Sequence, residues 1–473
     1  MDQLGSRLQE TICALATPWG RSAIAVIRVS GPQSHSLLGR LSPKFETFIK
    51  KTADSKTRVL VAELFDLRGE LLDEVVLTVF FKGRSFTGED TVEISCHGNP
   101  QLVETVLSEL IELGACPARA GEFTMRAFLN NRMDLVKAES VLAMIESESR
   151  WGQKKAVLNL RGQLSKELDR IQDELVSLLA QLEVSLDFFE EGFDVLSRQT
   201  LRDRLKALKI RLDSWLESSK RSVSTSQGIK VGFLGRPNAG KSSLFNLLLH
   251  EDRSIVSPMA GTTRDVVEAQ VRWDKLLFCL QDSAGLRASE DPIELQGLKR
   301  ARRVHAEADL VLFVFDGLLG WTSEDSELLR EFLSFPGKAG NPILFIATKR
   351  DLGGGCEVLI EAPPQAGFLH LNTQDLDQRS SVLDLMSQIW LQSASLQEES
   401  TGQIVLLQAR QIDLVRRAVE ALQRAGEMAH DWSASEFCAT DVRLALDLIH
   451  ELQGRKFDDE ILDRVFRDFC IGK

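Results

Sequence analysis

The stretch GRPNAGKSS (235–243) restricts the possible folds of this chain more than any other. It follows the apolar run KVGFL and leads into SLFNLLL, so a strand ends, a glycine-bearing loop turns, and a helix begins, as a GxxxxGK[ST] phosphate loop requires. Gly235 and Gly240 allow the tight turn that aims backbone N–H groups and the helix N-terminus at phosphate oxygens. Lys241 is placed to neutralise β- and γ-phosphates and Ser242 to ligate Mg2+, while Asn238, Ala239, Gly240 and Ser243 complete the expected nucleotide contacts. Such a loop presupposes a parallel sheet. The runs KVGFLG, KLLFCLQD, ADLVLFVFD and PILFIATK, nearly continuous in apolar residues and separated by helical stretches, supply one over residues 226–395. This predicts a doubly wound sheet covered on both faces.

Motifs downstream choose the nucleotide. DSAG (282–285) ends a strand and fits a DxxG switch: Asp282 reaches the metal shell, the Gly285 amide bonds the γ-phosphate, and Ser283 and Ala284 lie between them. AGTTRD (260–265) offers Thr263 as a further Mg2+ ligand from a mobile loop. ATKRD (347–351) follows another strand, and the Asp351 carboxylate suits the N1–H and 2-amino donors of guanine, with Thr348 and Lys349 beside it; GTP is the expected ligand. Two departures stand out. Thr348 occupies the place of the usual amide in NKxD, which predicts a loop held less firmly, and LHLNTQ (369–374) stands where a Ser-Ala base loop is expected. After DxxG, where many small GTPases carry a water-orienting glutamine, this chain has Leu286, which neither donates nor accepts. Catalysis must come from another group. Asn238 offers an oxygen for a monovalent cation, against the plainer alternative of a loop-stabilising amide, and Glu294 in SEDPIELQG is a carboxylate beyond the switch.

The 473 residues exceed what one core organises. Residues 1–120 alternate short β-rich runs (AIAVIRVSG, EVVLTVFF) with turn signals and at least one helix, QLVETVLSELIELG, and read as an α+β domain. Residues 121–225 turn helical, with Leu164, Leu168, Ile171, Leu175, Leu179, Leu182 and Leu186 forming an apolar stripe, and 396–473 are helical again. Two helical blocks around the α/β insert predict one discontinuous helical domain. SVSTSQG (222–228) is small and polar enough for a linker. The formal charge of −12 excludes a global basic footprint for nucleic acid. Seven cysteines without CxxC or metal-ligand spacing predict reduced thiols. The N-terminal stretch lacks signal-peptide character, and no apolar run approaches a membrane span, so a cytoplasmic location with no membrane partner is expected.

With GEFTMRAFLNNRMDLVKAESV (121–141) and the closing FCIGK (469–473), these motifs make the whole chain resemble the MnmE (TrmE) family of tRNA-modifying GTPases. The resemblance implies a folate-binding and dimerising N-terminal domain, a helical domain split by a Ras-like G domain, and K+-stimulated GTP hydrolysis when two G domains of a homodimer meet. It implies an FAD partner, MnmG (GidA), with which a carboxymethylaminomethyl-type group is added at C5 of a tRNA wobble uridine, using 5-formyltetrahydrofolate or another tetrahydrofolate one-carbon form. Carried over by position, the K+ ligands fall on Asn238, Ser257, Met259 and Thr262, and the catalytic glutamate on Glu294. The folate contacts fall on Arg28, Glu89, Arg132 and Lys473; Arg132 keeps the charge of the lysine usual there. Cys470 is either a small buried hydrophobe or a nucleophile, proton donor or redox partner in modification. The competing reading is a GTP-controlled RNA or ribosome-assembly switch, which needs neither a folate site nor that thiol.

Overall fold

The computed structural model describes residues 7, 9–51, 57–187, 197–219, 221–249, 268–281, 308–334, 341–349, 366–393, 404–429, 435–457, 459–467 and 469–472. The chain divides into two compact units: one of Met1–Leu142, Asn159–Val176 and Leu446–Lys473, the other of Ala143–Leu158 and Ser177–Ala445.

The first unit is built on β1 (Ile12–Leu15), β2 (Ser22–Ser30), β3 (Arg58–Phe65), β4 (Leu71–Phe80), β5 (Thr91–Gly98) and β6 (Cys116–Pro117). They form one sheet in the order β3-β4-β5-β2-β1-β6, antiparallel except for the β1–β6 pair. Strict alternation sets its faces. In β4, Val75, Leu77 and Val79 are buried while Glu74 and Val76 point outward. The inner face packs on the helices Ser34–Leu41 and Pro100–Glu112 through Leu37, Leu38, Leu41, Val103, Val106 and Leu110. The second of these helices starts where Asn99 accepts from the Gln101 N–H at 3.0 Å and Pro100 stands at a position that needs no amide donor. The helices Glu122–Leu129 and Asp459–Phe466 share a smaller core of Phe128, Leu135, Leu462, Phe466 and Phe469.

The helix Gln163–Asp187 buries Leu164, Leu168, Ile171, Leu175 and Leu182. Between the last two it turns Leu178 inward, and the expected Leu179 is only half-buried. Steps of four and three residues alternate along an α-helical face, and Leu178 keeps that rhythm where Leu179 breaks it.

In the second unit the helix Arg198–Ser219 packs along Ala409–Met428, burying Leu201, Leu205, Leu208 and Leu212 on one side and Leu414, Val415, Ala418 and Leu422 on the other. The α/β portion contains β7 (Ile229–Leu234), β8 (Glu268–Trp273), β9 (Leu276–Gln281), β10 (Leu310–Asp316), β11 (Ile343–Thr348) and β12 (Ala366–His370) in the order β12-β11-β10-β7-β9-β8. All are parallel save β8. From β7 the chain adds strands first on one side and then on the other, which creates the switch point at which α/β sheets bind ligands beyond their carboxyl ends.

The segment expected to be a linker is ordered: Ser222–Gln227 is a short helix with Ser222, Thr225 and Ser226 buried. Its hydroxyls make this possible. Ser222 Oγ donates to the Leu406 carbonyl at 2.6 Å, and Thr225 Oγ1 accepts from Trp390 Nε1 at 3.0 Å, so small polar side chains here satisfy buried partners.

Candidate functional site

β7 ends at Leu234 and the helix Lys241–Leu249 starts at the lysine, so 235–240 is the loop between them. Gly235 has φ +143°, and a Cβ there would lie 2.0 Å from the Val314 carbonyl of β10; no side chain fits. Asn238 takes the left-handed conformation, φ 60°, which Asn tolerates at turns. Lys241 Nζ donates to the Gly235 and Arg236 carbonyls at 2.8 and 2.5 Å, which curls the loop around the ammonium. Ser242, Ser243 and Asn238 are exposed, presenting hydroxyl and amide oxygens; these hard donors suit Mg2+ and K+. Ala239 is buried.

Thr348 closes β11 and is fully buried. Its hydroxyl lies 2.7 Å from the Ala239 carbonyl and 3.2 Å from that of Phe315, so it holds the phosphate loop to the neighbouring strand ends. A hydroxyl has the donor that these contacts require. Lys349, with φ 60°, donates to Asp316 Oδ2 at 2.6 Å. Burial pushes the Asp316 carboxyl up, but Lys349 and the Leu318 and Leu319 N–H groups outweigh it and hold the carboxyl below its ordinary value. Arg236 pairs with Asp325 and Glu324; burial opposes its charge, and the two carboxylates prevail, raising its pKa. β9 ends at Gln281, immediately before Asp282. Ser257, Met259, Thr262, Thr263, Asp282, Ser283, Ala284, Gly285, Leu286, Glu294 and Asp351 lie outside the described residues. In the region of LHLNTQ, β12 gives way to a turn in which Asn372 Oδ1 accepts from the Gln374 N–H at 2.9 Å.

The first unit brings three distant segments to Arg28. On β2, its Nε and Nη2 donate to Glu93 Oε1 of β5 at 2.9 and 2.8 Å, a cross-strand pair set by the Arg28–Glu93 register. The guanidinium lies 5.6 and 5.5 Å from the ring centroids of Phe86 and Phe123. Nη1 donates to the Gly472 carbonyl at 3.2 Å. Gly472, φ +94°, runs so close to β1 that a Cβ would meet the Leu15 carbonyl at 2.2 Å. Cys470 is exposed on this docked segment, and its carbonyl accepts from the Gly121 N–H at 3.4 Å. Burial of the side chain therefore does not account for it.

Glu89 accepts from Ser30 Oγ at 2.8 Å and from Arg126 Nη1 at 3.2 Å. Arg126, with no exposed side-chain surface, also pairs with Glu122 at 3.1 Å and donates to the Arg7 and Glu10 carbonyls. Glu122 is itself buried; desolvation raises its carboxyl, and Arg7, the Arg119 N–H and Arg126 together bring it below the ordinary value. Arg132 is exposed, its stem packed 3.2 Å from where a Cβ on Gly88 would stand, one residue before Glu89. Lys473 lies outside the described residues.

Two family models match this chain: the MnmE helical domain over residues 135–470 and the N-terminus of the GTP-binding protein TrmE over 11–132. The tRNA modification GTPase MnmE of Bdellovibrio bacteriovorus is 38% identical over 99% of both chains. The chain belongs to the MnmE family. Those of Synechococcus sp. CC9605 and Chlorobaculum tepidum are each 36% identical over 98% of this chain and 99% and 97% of their own. MnmE membership carries the enzyme class, a P-loop GTP hydrolase of tRNA modification. It leaves several neighbours of the site unmarked. Sequence reasoning missed Arg126, Glu93, Glu122 and the two phenylalanines around Arg28. One signal was present: in EFTMRAFL, Arg126 falls on the face of Phe123 and Ala127, an inward place where an arginine demands buried acceptors.

Proposed function

We propose that this chain works as a cytoplasmic homodimer that hydrolyses GTP with Mg2+ and K+ and, with the FAD protein MnmG, adds a carboxymethylaminomethyl-type group at C5 of a tRNA wobble uridine from a tetrahydrofolate one-carbon unit. The observation that carries the reading is the docked segment 469–472: it presents an exposed thiol, Cys470, from a strand of chain tied to Arg28. A switch that only timed RNA release has no use for that arrangement. In this reading Arg28 and Arg132 meet the folate carboxylates and Glu89 its aminopyrimidine edge, since a carboxylate has lone pairs beyond those given to Ser30 and Arg126. Asn238, with Ser257, Met259 and Thr262, holds K+, whose charge would stand in for that of an arginine finger; Ser242 and Thr263 hold Mg2+, which would neutralise phosphate charge, and Glu294, in place of the missing glutamine, orients the water. Lys241 binds the phosphates, and Asp351 reads guanine.

The test is mass analysis of tRNA nucleosides from a deletion strain complemented with native protein or with Cys470→Ser, alongside GTPase rates in K+ and Na+. Native protein should restore the modified uridine and hydrolyse GTP faster in K+. Cys470→Ser should keep that GTPase rate and lose most of the modification. Full modification with the serine variant would remove the thiol from the chemistry, and equal rates in both salts would remove the cation.

A further inference from the structure

The second residue of the phosphate loop makes contacts that neither the nucleotide motifs nor the resemblance explains. Arg236 Nε donates to Asp325 Oδ1 at 2.8 Å, and Nη1 to Glu324 Oε2 at 2.9 Å. These partners differ in weight. Glu324 is 71% exposed and contributes little, whereas Asp325 has no exposed surface and strands a buried charge if Arg236 is removed. Asp325 is also half of a capping box. Its other oxygen accepts from the Thr322 N–H and hydroxyl at 3.0 and 2.7 Å, and its own N–H donates back to Thr322 Oγ1 at 3.3 Å at the start of the helix Ser323–Ser334. Trp321, next in line, packs against Phe313, Phe315 and Phe345 of β10 and β11, so this helix start is itself anchored. Meanwhile the Arg236 carbonyl holds the Lys241 ammonium. One residue thus connects a rigid, buried carboxylate through its side chain to the phosphate-binding lysine through its backbone.

We propose that Arg236 is a positioning residue that, through its ion pair with Asp325, keeps the phosphate loop curled around Lys241 and so sets how long nucleotide stays bound. The pair acts on retention, not on the reacting atoms. Release of a fluorescent GDP from the full chain, chased with unlabelled GDP, reads it directly. Arg236→Met should release GDP about tenfold faster, and Arg236→Lys, which restores the charge, less than threefold faster. Asp325→Asn keeps an oxygen for Thr322 and turns the atom facing Arg236 into an NH2, which removes both the charge and the acceptor; it should match Arg236→Met. The double variant should release GDP no more than twofold faster than either single one, because both break the same link. The KM for GTP should rise with these variants by more than kcat falls, a split that loss of general stability does not produce. Release from Arg236→Met within twofold of native, or multiplication of the single effects in the double variant, overturns the proposal. If Arg236→Met fails to fold, Asp325→Asn decides alone: tenfold faster release supports the link, and native release refutes it.

Discussion

The phosphate loop and the Arg28 cluster both surround candidate ligand contacts, yet they are assembled by different means. In the loop, a few consecutive residues do nearly everything: Gly235 lets the strand end meet β10, Lys241 is held by carbonyls six and five residues before it, and Thr348 supplies one cross-strand hydroxyl. The forces are side-chain hydrogen bonds to nearby carbonyls, close packing and the ion pair of Arg236 with the buried Asp325. In the cluster, Arg28 meets Glu93 from another strand, Phe123 from a helix and Gly472 from 444 residues away. Ionic contacts prevail there, and each partner depends on the whole unit having folded. A short loop closes at small entropic cost, whereas a site closed through hundreds of residues is as secure as its least stable element.

That contrast breaks if Arg28 proves dispensable. Arg28→Ala removes a partly buried ion pair, two aromatic contacts and the bond to Gly472 together. Formyltetrahydrofolate binding to the full chain, followed by calorimetry, should weaken more than about tenfold, beyond the ~1 kcal/mol ceiling of an exposed pair. GDP affinity should not change. Undiminished folate binding would take Arg28 out of the site and leave its pairing with Glu93 structural.

The same contrast explains what was legible in the sequence. The strands and helix around GRPNAGKSS were readable because motif, period and turn residues all sit within one window, and Lys241 stands at the helix start and Thr348 at the strand end that the pattern implies. The arrangement around Arg28 was not, since nothing in VIRVSG says that Glu93 is its cross-strand partner; register is a property of the folded sheet. Resemblance alone pointed to Arg28. Inside helices the limits were finer. A leucine pair at 178 and 179 offers two candidates for one inward position, and only the helix phase selects Leu178. The polar run at 222–228 looked like a linker because composition cannot reveal that Leu406 and Trp390 would meet its hydroxyls.

Thr348 sharpens the comparison with a smaller effect. Thr348→Val keeps the shape and deletes the hydroxyl that reaches Ala239 and Phe315. The loss of one buried hydrogen bond, about 1 kcal/mol, should weaken GDP binding roughly fivefold. Thr348→Ser retains the donor and should stay within twofold of native. If valine binds GDP as well as threonine does, the Thr348 hydroxyl adds nothing to how the loop is held.

The smallest expected effect concerns acid. Asp316 takes the Lys349 ammonium on Oδ2 and the Leu318 and Leu319 N–H groups on Oδ1, and these hold its carboxyl below the ordinary 3.8 despite burial. A group whose folded pKa is depressed stabilises the fold fully above the unfolded value, and the contribution disappears as pH falls through the folded one. Asp316→Asn retains an oxygen for the two N–H donors and removes only the ion pair. Lys349 is about one-third exposed, so solvent screening limits the pair to about 0.5 kcal/mol at neutral pH. Melting of the full chain should therefore start slightly lower for the variant at pH 7, and the two proteins should converge as the pH falls below 3.8. A gap that stays constant into acid would mean that the charge contributes nothing and that the asparagine disturbs the turn after β10. The phosphate-loop region would then owe none of its stability to ion pairing at Lys349, and its titratable contribution would rest on Arg236 and Asp325.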